Sequence, residues 1–442
     1  METPKDCKRK ASVSSKIGDI SAKSKRSMRY STMRKQDDND DKFSARKWTS
    51  TNLGSMYDSG EYKAKSRDVP FTLMSYNVLA DYLAQRHPEL YSINVESDTM
   101  KWPIRFEKIV QEILRYSCDI LCFQEVQSDH FLHFFEGKLR SLGYDGIYKK
   151  RTGDKQDGCA IFYKQDKFLL IDQTDVEYQQ PLGTSCLNRD NIGLLAKFAP
   201  IQDPENGHFV VATTHLLFNP KRQDVKLAQM VLLLAEVDRF SWTTDRSTPY
   251  LPSIITGDFN CQAHHSVYEL LCNGLTNYRG LTRAPIPPNH GLIPPELGIT
   301  DSCQHFDVLT SRAKKRPPTQ GRLFHSKRND TNSGTTMESM GAFYGSGTFH
   351  HNFGFKSVYN PYAKPKAVTT RQNGYVMVDY ILYSRYFSHR YSKFVEGNLK
   401  LLQRLSLYTE KQCTDLGHLP NEKSPSDHLS LAAKFLLTAN KM

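Results

Sequence analysis

The chain has 442 residues, of which 38% are hydrophobic and 24% charged, and its formal net charge is +12. This composition supplies apolar residues for a large core and excludes a wholly disordered chain. Because no apolar run approaches the roughly 20 residues that span a bilayer, we predict no membrane association through a spanning helix.

Residues 1–68 are rich in Ser, Lys, Arg and Asp and show no apolar periodicity, so we predict a basic, disordered tail there. Such a tail can hold nucleic acid loosely, or it can be solvated and bind nothing; both interpretations stay open. The basic cluster at 23–26 would suit a nuclear address, and no secretory leader is visible. We expect a cytoplasmic or nuclear location, and a mitochondrial one stays open because few acidic residues precede Asp37.

The nine cysteines are scattered and form no Cys-x-x-Cys pair. Their odd number and their spacing argue against a disulfide framework and against a structural zinc site. We therefore expect a reducing compartment.

From residue 71 onward, strand and helix patterns alternate. Predicted strands cover 71–79, 119–123, 158–164, 167–171, 192–198, 209–214, 253–256, 375–383 and 429–435, and predicted helices begin near 102, 129, 222 and 266. Mixed strands and helices with buried apolar strands indicate an α/β architecture, which we assign to one catalytic domain over 69–438. A polar stretch rich in Pro and Gly, at about 283–352, predicts an insertion that is disordered or forms a flap.

Polar side chains that can do chemistry recur at the predicted strand ends. They are Asn77, Glu125, His215, Asp258, Asn260, Asp379 and His428. Each by itself is typical of a turn, a cap or a satisfied core side chain. Since strand ends on one edge of a sheet converge in space, the whole set predicts one shared pocket.

The residue types in this pocket suit phosphoryl chemistry. Glu125 is a hard oxygen ligand of the kind that Mg²⁺ prefers, and the cation would neutralise phosphate charge. Asp258 can accept the proton of an attacking water. His428 can donate to a developing oxyanion or bind a metal, and Asp379 would orient its ring.

Two further groups, His215 and Asn260, are suitable donors to the non-bridging oxygens of a phosphate. The sequence contains no recognised motif with a nucleophilic Ser or Cys. Direct attack by water is therefore favoured over a covalent intermediate.

In chain order, the segments YNVL, QEV, THL, GDFN, VDY and SDH resemble those of the endonuclease/exonuclease/phosphatase superfamily over about residues 70–438, the insertion excepted. YNVLADYL and FQEVQ resemble the deadenylase and nocturnin branch, and ATTHLLFNPKRQDVKLAQMVLLLAEV is most similar to the Angel proteins. The resemblance implies a four-layer α/β sandwich of two packed mixed β-sheets flanked by helices. It also implies Mg²⁺-dependent hydrolysis of phosphoester bonds in RNA, with Mn²⁺ as the alternative cation.

The resemblance also implies roles for single residues. Glu125 matches the metal-binding glutamate, with Asn77 beside it, and His215 matches a phosphate contact. Asp258 and Asn260 match the pair that positions the water or, together with His428, a second metal.

The remaining matches concern the catalytic histidine and the substrate pocket. His428 matches the catalytic histidine and Asp379 its partner. Asn191 would contact the phosphate, although an ordinary loop asparagine would explain it nearly as well. Pro220 matches a pocket proline of the deadenylases.

One position departs from the pattern of the poly(A)-specific relatives, which stack the 3′ base on an aromatic residue shortly before the Asp-Tyr-Ile motif. An ungapped alignment gives Gly374 there, with Tyr375 next to it. Losing the aromatic ring would weaken a poly(A) preference, and a local gap could restore it.

Two versions of an RNA 3′-end hydrolase therefore stay open, a 3′→5′ exoribonuclease and a 2′,3′-cyclic phosphatase. A catalytically inactive RNA- or protein-binding module is the alternative from another class, and the intact acidic and histidine set argues against it. An abasic-site DNA endonuclease would share the catalytic set but lacks the detailed likeness. The sequence predicts RNA as the partner and names no protein partner.

Overall fold

The computed structural model describes residues 46–91, 98–181, 185–244, 249–282, 290–315, 343–371, 374–388 and 390–438. The strands are β1 Trp48–Ser50, β2 Val69–Asn77, β3 Ile120–Gln127, β4 Tyr144–Lys150, β5 Asp157–Lys164, β6 Phe168–Glu177, β7 Ile192–Pro200, β8 Phe209–His215, β9 Ser253–Asp258, β10 Leu275–Asn277, β11 Thr348–His350, β12 Lys356–Ser357, β13 Thr370–Arg371, β14 Tyr375–Val376, β15 Asp379–Tyr383, β16 Tyr386–Ser388, β17 Lys393–Val395, β18 Leu399–Leu405 and β19 Leu431–Leu437.

The helices are α1 Asn52–Asp58, α2 Asp81–Arg86, α3 Trp102–Tyr116, α4 Ser128–His130, α5 Glu136–Ser141, α6 Gln223–Ser241, α7 Ser266–Asn273, α8 Phe306–Lys315 and α9 Glu410–Leu416. A π-helical turn, Phe131–Phe135, joins α4 to α5, and short 3-10 turns cover Pro88–Leu90, Asp98–Met100 and Pro295–Leu297. Within the described part of the chain, no helix is both long and apolar enough to cross a membrane.

Two mixed sheets form the centre of the fold. The first has the strand order β1-β18-β19-β2-β3-β5-β4 and the second the order β12-β15-β9-β8-β7-β6. The pairs β2–β3 and β8–β9 are parallel, whereas β19 and β15 run antiparallel to their neighbours β2 and β9. The carboxyl ends of β2, β3, β8 and β9 and the amino ends of β15 and β19 therefore lie at the same edge of their sheets.

Alternating side chains bury both faces of the first sheet. Phe71 and Leu73 of β2 join the apolar core between the sheets, while Met74 and Tyr76 point to the opposite face. There they pack with an apolar stripe of α3 whose members recur at helical spacing, namely Trp102, Phe106, Ile109, Val110 and Ile113. Helices α6 and α7 cover the second sheet. The predicted four-layer α/β sandwich is confirmed.

The domain begins earlier in the chain than the predicted residue 69. Strand β1 pairs with β18, and the buried Arg46 donates to the carbonyl and hydroxyl oxygens of Ser430, both at 2.5 Å. It also pairs with Glu112 at 2.8 Å. Residues 46–68 therefore belong to the fold and are not part of a disordered tail, while residues 1–45 lie outside the described residues.

The prediction of a disordered insertion or a flap is wrong for the parts of 283–352 that the structure describes. Residues 290–315 contribute buried apolar side chains to the main core, and β11 pairs with β10. Asp301 accepts hydrogen bonds from Tyr278 and from the backbone of Ser346, and Arg312 donates to Asp238 at 2.7 Å. Polar composition misled the prediction because these polar groups pair with one another. Residues 283–289 and 316–342 lie outside the described residues.

The predicted strand 375–383 is split into two elements. Residues 375–376 pair with β13, whereas Asp379–Tyr383 forms β15 in the second sheet. The backbone N–H groups of Val378 and Asp379 donate to the hydroxyl of Thr369, which holds the junction in place. This break is what positions Asp379 at the first residue of β15.

We predict that Arg46→Ala lowers the free energy of unfolding by about 3 kcal/mol, because it leaves the buried Ser430 carbonyl without its Arg46 donor and breaks the ion pair with the half-buried Glu112. Chemical denaturation of the full chain measures this change. Lys47→Ala removes an exposed neighbouring cation and should change stability by less than about 0.5 kcal/mol. Equal effects of the two substitutions would contradict the assignment of this segment to the fold.

Candidate active site

The seven polar residues predicted at strand ends meet where these strand ends of the two packed sheets lie together, here called the site edge. Hydrogen bonds and close charge pairs connect them into one cluster. In the register of the second sheet, Asp258 lies between His215 on β8 and Asp379 on β15. The predicted convergence of these side chains is confirmed.

Asn77 and Glu125 come from the first sheet. Glu125 lies in an irregularity of β3, between Phe123 and Val126, and has a positive φ of 57°. The Asn77 amide donates to Glu125 Oε1 at 2.9 Å, and the backbone N–H of Ala80 donates to Glu125 Oε2 at 3.0 Å. These bonds fix the carboxylate at the site edge.

The surroundings of Glu125 are acidic. Burial raises the pKa of Glu125 to about 7, and the nearby carboxylates of Asp427 and Asp157 add to the shift. A buried carboxylate facing further carboxylates fits a divalent cation, which would relieve the repulsion. Glu125 would hold such a cation, with the Asn77 amide fixing its carboxylate.

Asp427 is a functional candidate that the sequence reasoning missed as a site residue. Its Oδ2 accepts a hydrogen bond from the Tyr91 hydroxyl at 2.8 Å. Its position directly before His428, at the same predicted strand end, was the sequence feature that could have identified it. Only the fold shows that its charge acts on Glu125, which is more than 300 residues away in the sequence.

A tight turn after β9 presents Asp258 and Asn260. Gly257 has a φ of 141°, and a Cβ there would lie 1.9 Å from the carbonyl oxygen of Thr214, so only glycine fits. Asp258 Oδ1 accepts from the backbone N–H of Asn260 at 2.9 Å, and Asn260 itself has a φ of 49°. This turn sends both side chains towards the site edge.

His215 forms a hydrogen bond through one ring nitrogen, and the other makes none to the described residues. The Asn260 amide donates to the Leu216 carbonyl at 3.1 Å and contacts His215 Nε2 at 3.0 Å, which favours a proton on Nδ1. Nδ1 is buried, makes no hydrogen bond to the described residues and lies 3.9 Å from Glu125 Oε1. Burial lowers the pKa of His215, which favours a neutral ring whose N–H at Nδ1 lies on the side of Glu125.

His428 is held between two carboxylates. Its Nδ1 bonds Asp379 at 2.9 Å, and its Nε2 lies 3.6 Å from Asp258 Oδ2. Burial alone would lower the pKa of His428, but Asp379 and Asp258 outweigh it and raise this pKa well above its usual value. The ring is therefore a protonated donor facing Asp258.

Donor atoms of Asp258, Asp379 and His428 lie within 4.8 Å of one another, so they could also hold a metal ion. The predicted second metal set, Asp258, Asn260 and His428, shares two residues with this trio. Because Asp379 already accepts from His428, we regard this trio as the proton-handling group and the surroundings of Glu125 as the better cation site.

The three predicted substrate contacts lie around this centre. Asn191 donates to the backbone carbonyl of His215 at 3.0 Å and accepts from Gln229, which gives it a positioning role. Pro220 is exposed. The Tyr375 hydroxyl donates to the Cys413 carbonyl at 3.1 Å. Direct contact of these three residues with substrate stays a prediction.

A neutral histidine donor, a buried imidazolium–carboxylate pair and an acidic cation site on one edge of a sandwich define a metal-assisted phosphoesterase. A sequence model of the Endonuclease/Exonuclease/phosphatase family matches residues 74–428. The chain belongs to this family, whose enzymes depend on metal ions.

Among curated proteins, human Protein angel homolog 2 is 36% identical over 388 residues, which cover 83% of this chain and 69% of that protein. Human Protein angel homolog 1 is 36% identical over 425 residues, covering 83% and 62%. Protein angel of Drosophila melanogaster is 32% identical over 397 residues, covering 88% and 86%.

Among solved structures, ANGEL2, described as a 2′,3′-cyclic phosphatase in complex with adenosine-2′,3′-vanadate, matches with a TM-score of 0.69 and 33% identity. The match covers 89% of this chain and 99% of ANGEL2. The catalytic domain of human Nocturnin matches with a TM-score of 0.50 and 20% identity, covering 88% of this chain and 96% of that one, which supports the fold alone.

We predict that Mg²⁺ or Mn²⁺ raises the melting temperature of the wild-type chain and that Glu125→Gln removes most of this rise, because the amide lacks the ligand charge. A saturating cation, at about 100 times its dissociation constant, would add about 2.7 kcal/mol. Thermal unfolding with and without cation measures the change. Glu61→Gln, at an exposed acidic residue, is the control, and an unchanged rise in Glu125→Gln would exclude Glu125 as a ligand.

Proposed function

We propose that the chain is an Mg²⁺-dependent hydrolase of RNA 3′ ends that acts on terminal 2′,3′-cyclic phosphates. The observation that carries this proposal is the match to ANGEL2 over 99% of that structure, combined with the intact cluster at the site edge. RNA as substrate and Mg²⁺ as cation are parts of the proposal. Mn²⁺ would serve in the same site.

The proposed chemistry is in-line attack of water on phosphorus. A cation held by Glu125 would neutralise the charge of the phosphate oxygens. Asp258 accepts one proton of the water, which is the role that its buried carboxylate facing His428 supports. His215, through its N–H at Nδ1, donates to a non-bridging oxygen, with Asn260 fixing the ring.

The leaving oxygen requires a proton of its own. As the bond from phosphorus to one ribose oxygen breaks, the His428 imidazolium supplies that proton, and Asp379 stabilises the ring's charge and orientation. The product is a phosphomonoester on the other ribose oxygen. Asp258 then returns its proton to His428, whose Nε2 lies 3.6 Å away, and a second water releases inorganic phosphate by the same steps and leaves a 2′,3′-diol.

A 3′→5′ exoribonuclease is the second candidate, since the same attack on an internal phosphodiester would release one nucleotide. The predicted pocket proline, Pro220, favours it. The position of the expected base-stacking aromatic speaks against it, because Gly374 is exposed and carries no ring.

A product assay distinguishes the candidates. We expect that wild-type protein with Mg²⁺ converts a labelled RNA ending in 2′,3′-cyclic phosphate to an end without phosphate, with its length unchanged. A matched RNA with a 3′-hydroxyl poly(A) tail should stay intact, and Glu125→Gln should act on neither. A shortening ladder on the tail would support the exoribonuclease instead, and inactivity on both RNAs would favour a binding module.

Asp379→Asn should lower kcat at least about 100-fold with little change in KM, because Asp379 orients His428 and contacts no substrate. Since the carboxylate raises the pKa of His428, its loss lowers that pKa and moves the alkaline limb of the kcat profile to lower pH. Steady-state kinetics across pH measure both effects.

The control for this variant is Asp172→Asn, an exposed carboxylate on the outer strand β6 of the second sheet. Its kinetics should match those of the wild type. An unshifted alkaline limb in Asp379→Asn would remove Asp379 from the proton transfer, even if the variant were slower.

A further inference from the structure

An exposed aromatic ring lies in the loop that follows His215. Phe218 follows His215 by three residues, and 58% of its surface is exposed, whereas Leu216 between them is fully buried. Three residues span at most about 11 Å. The ring is therefore within reach of a nucleoside whose phosphate lies at His215.

The backbone on both sides of Phe218 is held in place. The Leu217 N–H donates to Gln229 at 3.0 Å, and the Leu216 carbonyl accepts from Asn260 at 3.1 Å. On the other side, Asn219 Oδ1 accepts from the N–H of Lys221 at 2.9 Å. The ring is therefore exposed on an anchored loop, and one of its anchors, Asn260, is a site residue.

The position at which relatives of the deadenylase branch are expected to stack the base offers no free ring in this chain. Gly374 has no side chain, and Tyr375 already bonds the Cys413 carbonyl and lies 5.5 Å from the Arg371 guanidinium. On the ungapped alignment, an RNA end bound at the site edge therefore meets no ring at position 374. Phe218 lies elsewhere in the chain, in the loop that follows β8 and His215.

We propose that Phe218 is the stacking platform for the base of the 3′-terminal nucleotide, which rests on the proposed action at RNA 3′ ends. A phenyl ring stacks on any base, so it gives affinity with little sequence preference. Because stacking is present in both the ground state and the transition state, it should act on KM more than on kcat. Phe218 is then a specificity residue that distinguishes a nucleotide end from a phosphate ester without a base.

A fluorescent base tests stacking directly. An RNA whose 3′-terminal nucleotide carries 2-aminopurine should lose fluorescence on binding to the wild-type chain, since stacking quenches this base. Phe218→Ala should remove the quenching and weaken binding about tenfold, and Phe218→Tyr should keep both. Tyr391→Ala, which removes an equally exposed ring outside the site, is the control and should behave like the wild type.

Turnover provides the second measurement. For RNA ending in a 2′,3′-cyclic phosphate, Phe218→Ala should raise KM about tenfold, and the increase should be at least fivefold smaller when the terminal nucleotide is abasic. Equal quenching in wild type and Phe218→Ala, or equal KM changes on both RNAs, would overturn the stacking role. If the wild type hydrolysed neither RNA but Phe218→Ala still abolished quenching, the proposed reaction would fail and the stacking role would stand.

Discussion

One amide group, that of Asn77, bonds carboxylates from both sheets, and the arrangement of the site depends on it. Its Nδ2 donates to Glu125 in the first sheet at 2.9 Å and to Asp258 in the second at 3.2 Å. The Asn77 side-chain oxygen accepts from the N–H of Leu79, which fixes the orientation of the amide. The face-to-face packing of the two sheets is what makes this shared contact available, because each sheet supplies only one of the two carboxylates.

The same packing separates two electrostatic environments a few ångströms apart. Around Glu125 the carboxylates of Asp427 and Asp157 add negative charge, which suits a cation, and Arg151 offsets part of it through its ion pair with Asp157. Around His428 the imidazolium offsets one of the two carboxylate charges, those of Asp379 and Asp258. The cation site that would attract phosphate oxygens and the histidine that would transfer protons therefore lie on different sides of one cluster. Asp258 lies between them.

Sequence patterns predicted the central strands well and the periphery poorly. The strands ending at Asn77, His215 and Asp258 are nearly continuous apolar runs with a polar residue at the end, so pattern and position agree. Residues 46–58 and 290–315 are polar, and their place in the fold depends on partners that are distant in the sequence, such as Ser430 for Arg46. Composition therefore suggested disorder where ion pairs and strand pairing across the chain provide the stability.

The sequence alone determined which residue types stand at the strand ends, and hence a hydrolytic site with a metal, because those types and their order are local properties of the chain. Only the tertiary structure decided which nitrogen of His215 makes no hydrogen bond to the described residues. It also decided that Asp427 raises the pKa of Glu125 and that Asn191 donates to the backbone carbonyl of His215. These are relations between residues far apart in the chain, set by the register of the strands and the packing of the two sheets. Local patterns carry no information about such distances, whereas hydrogen-bond geometry and burial depend on them.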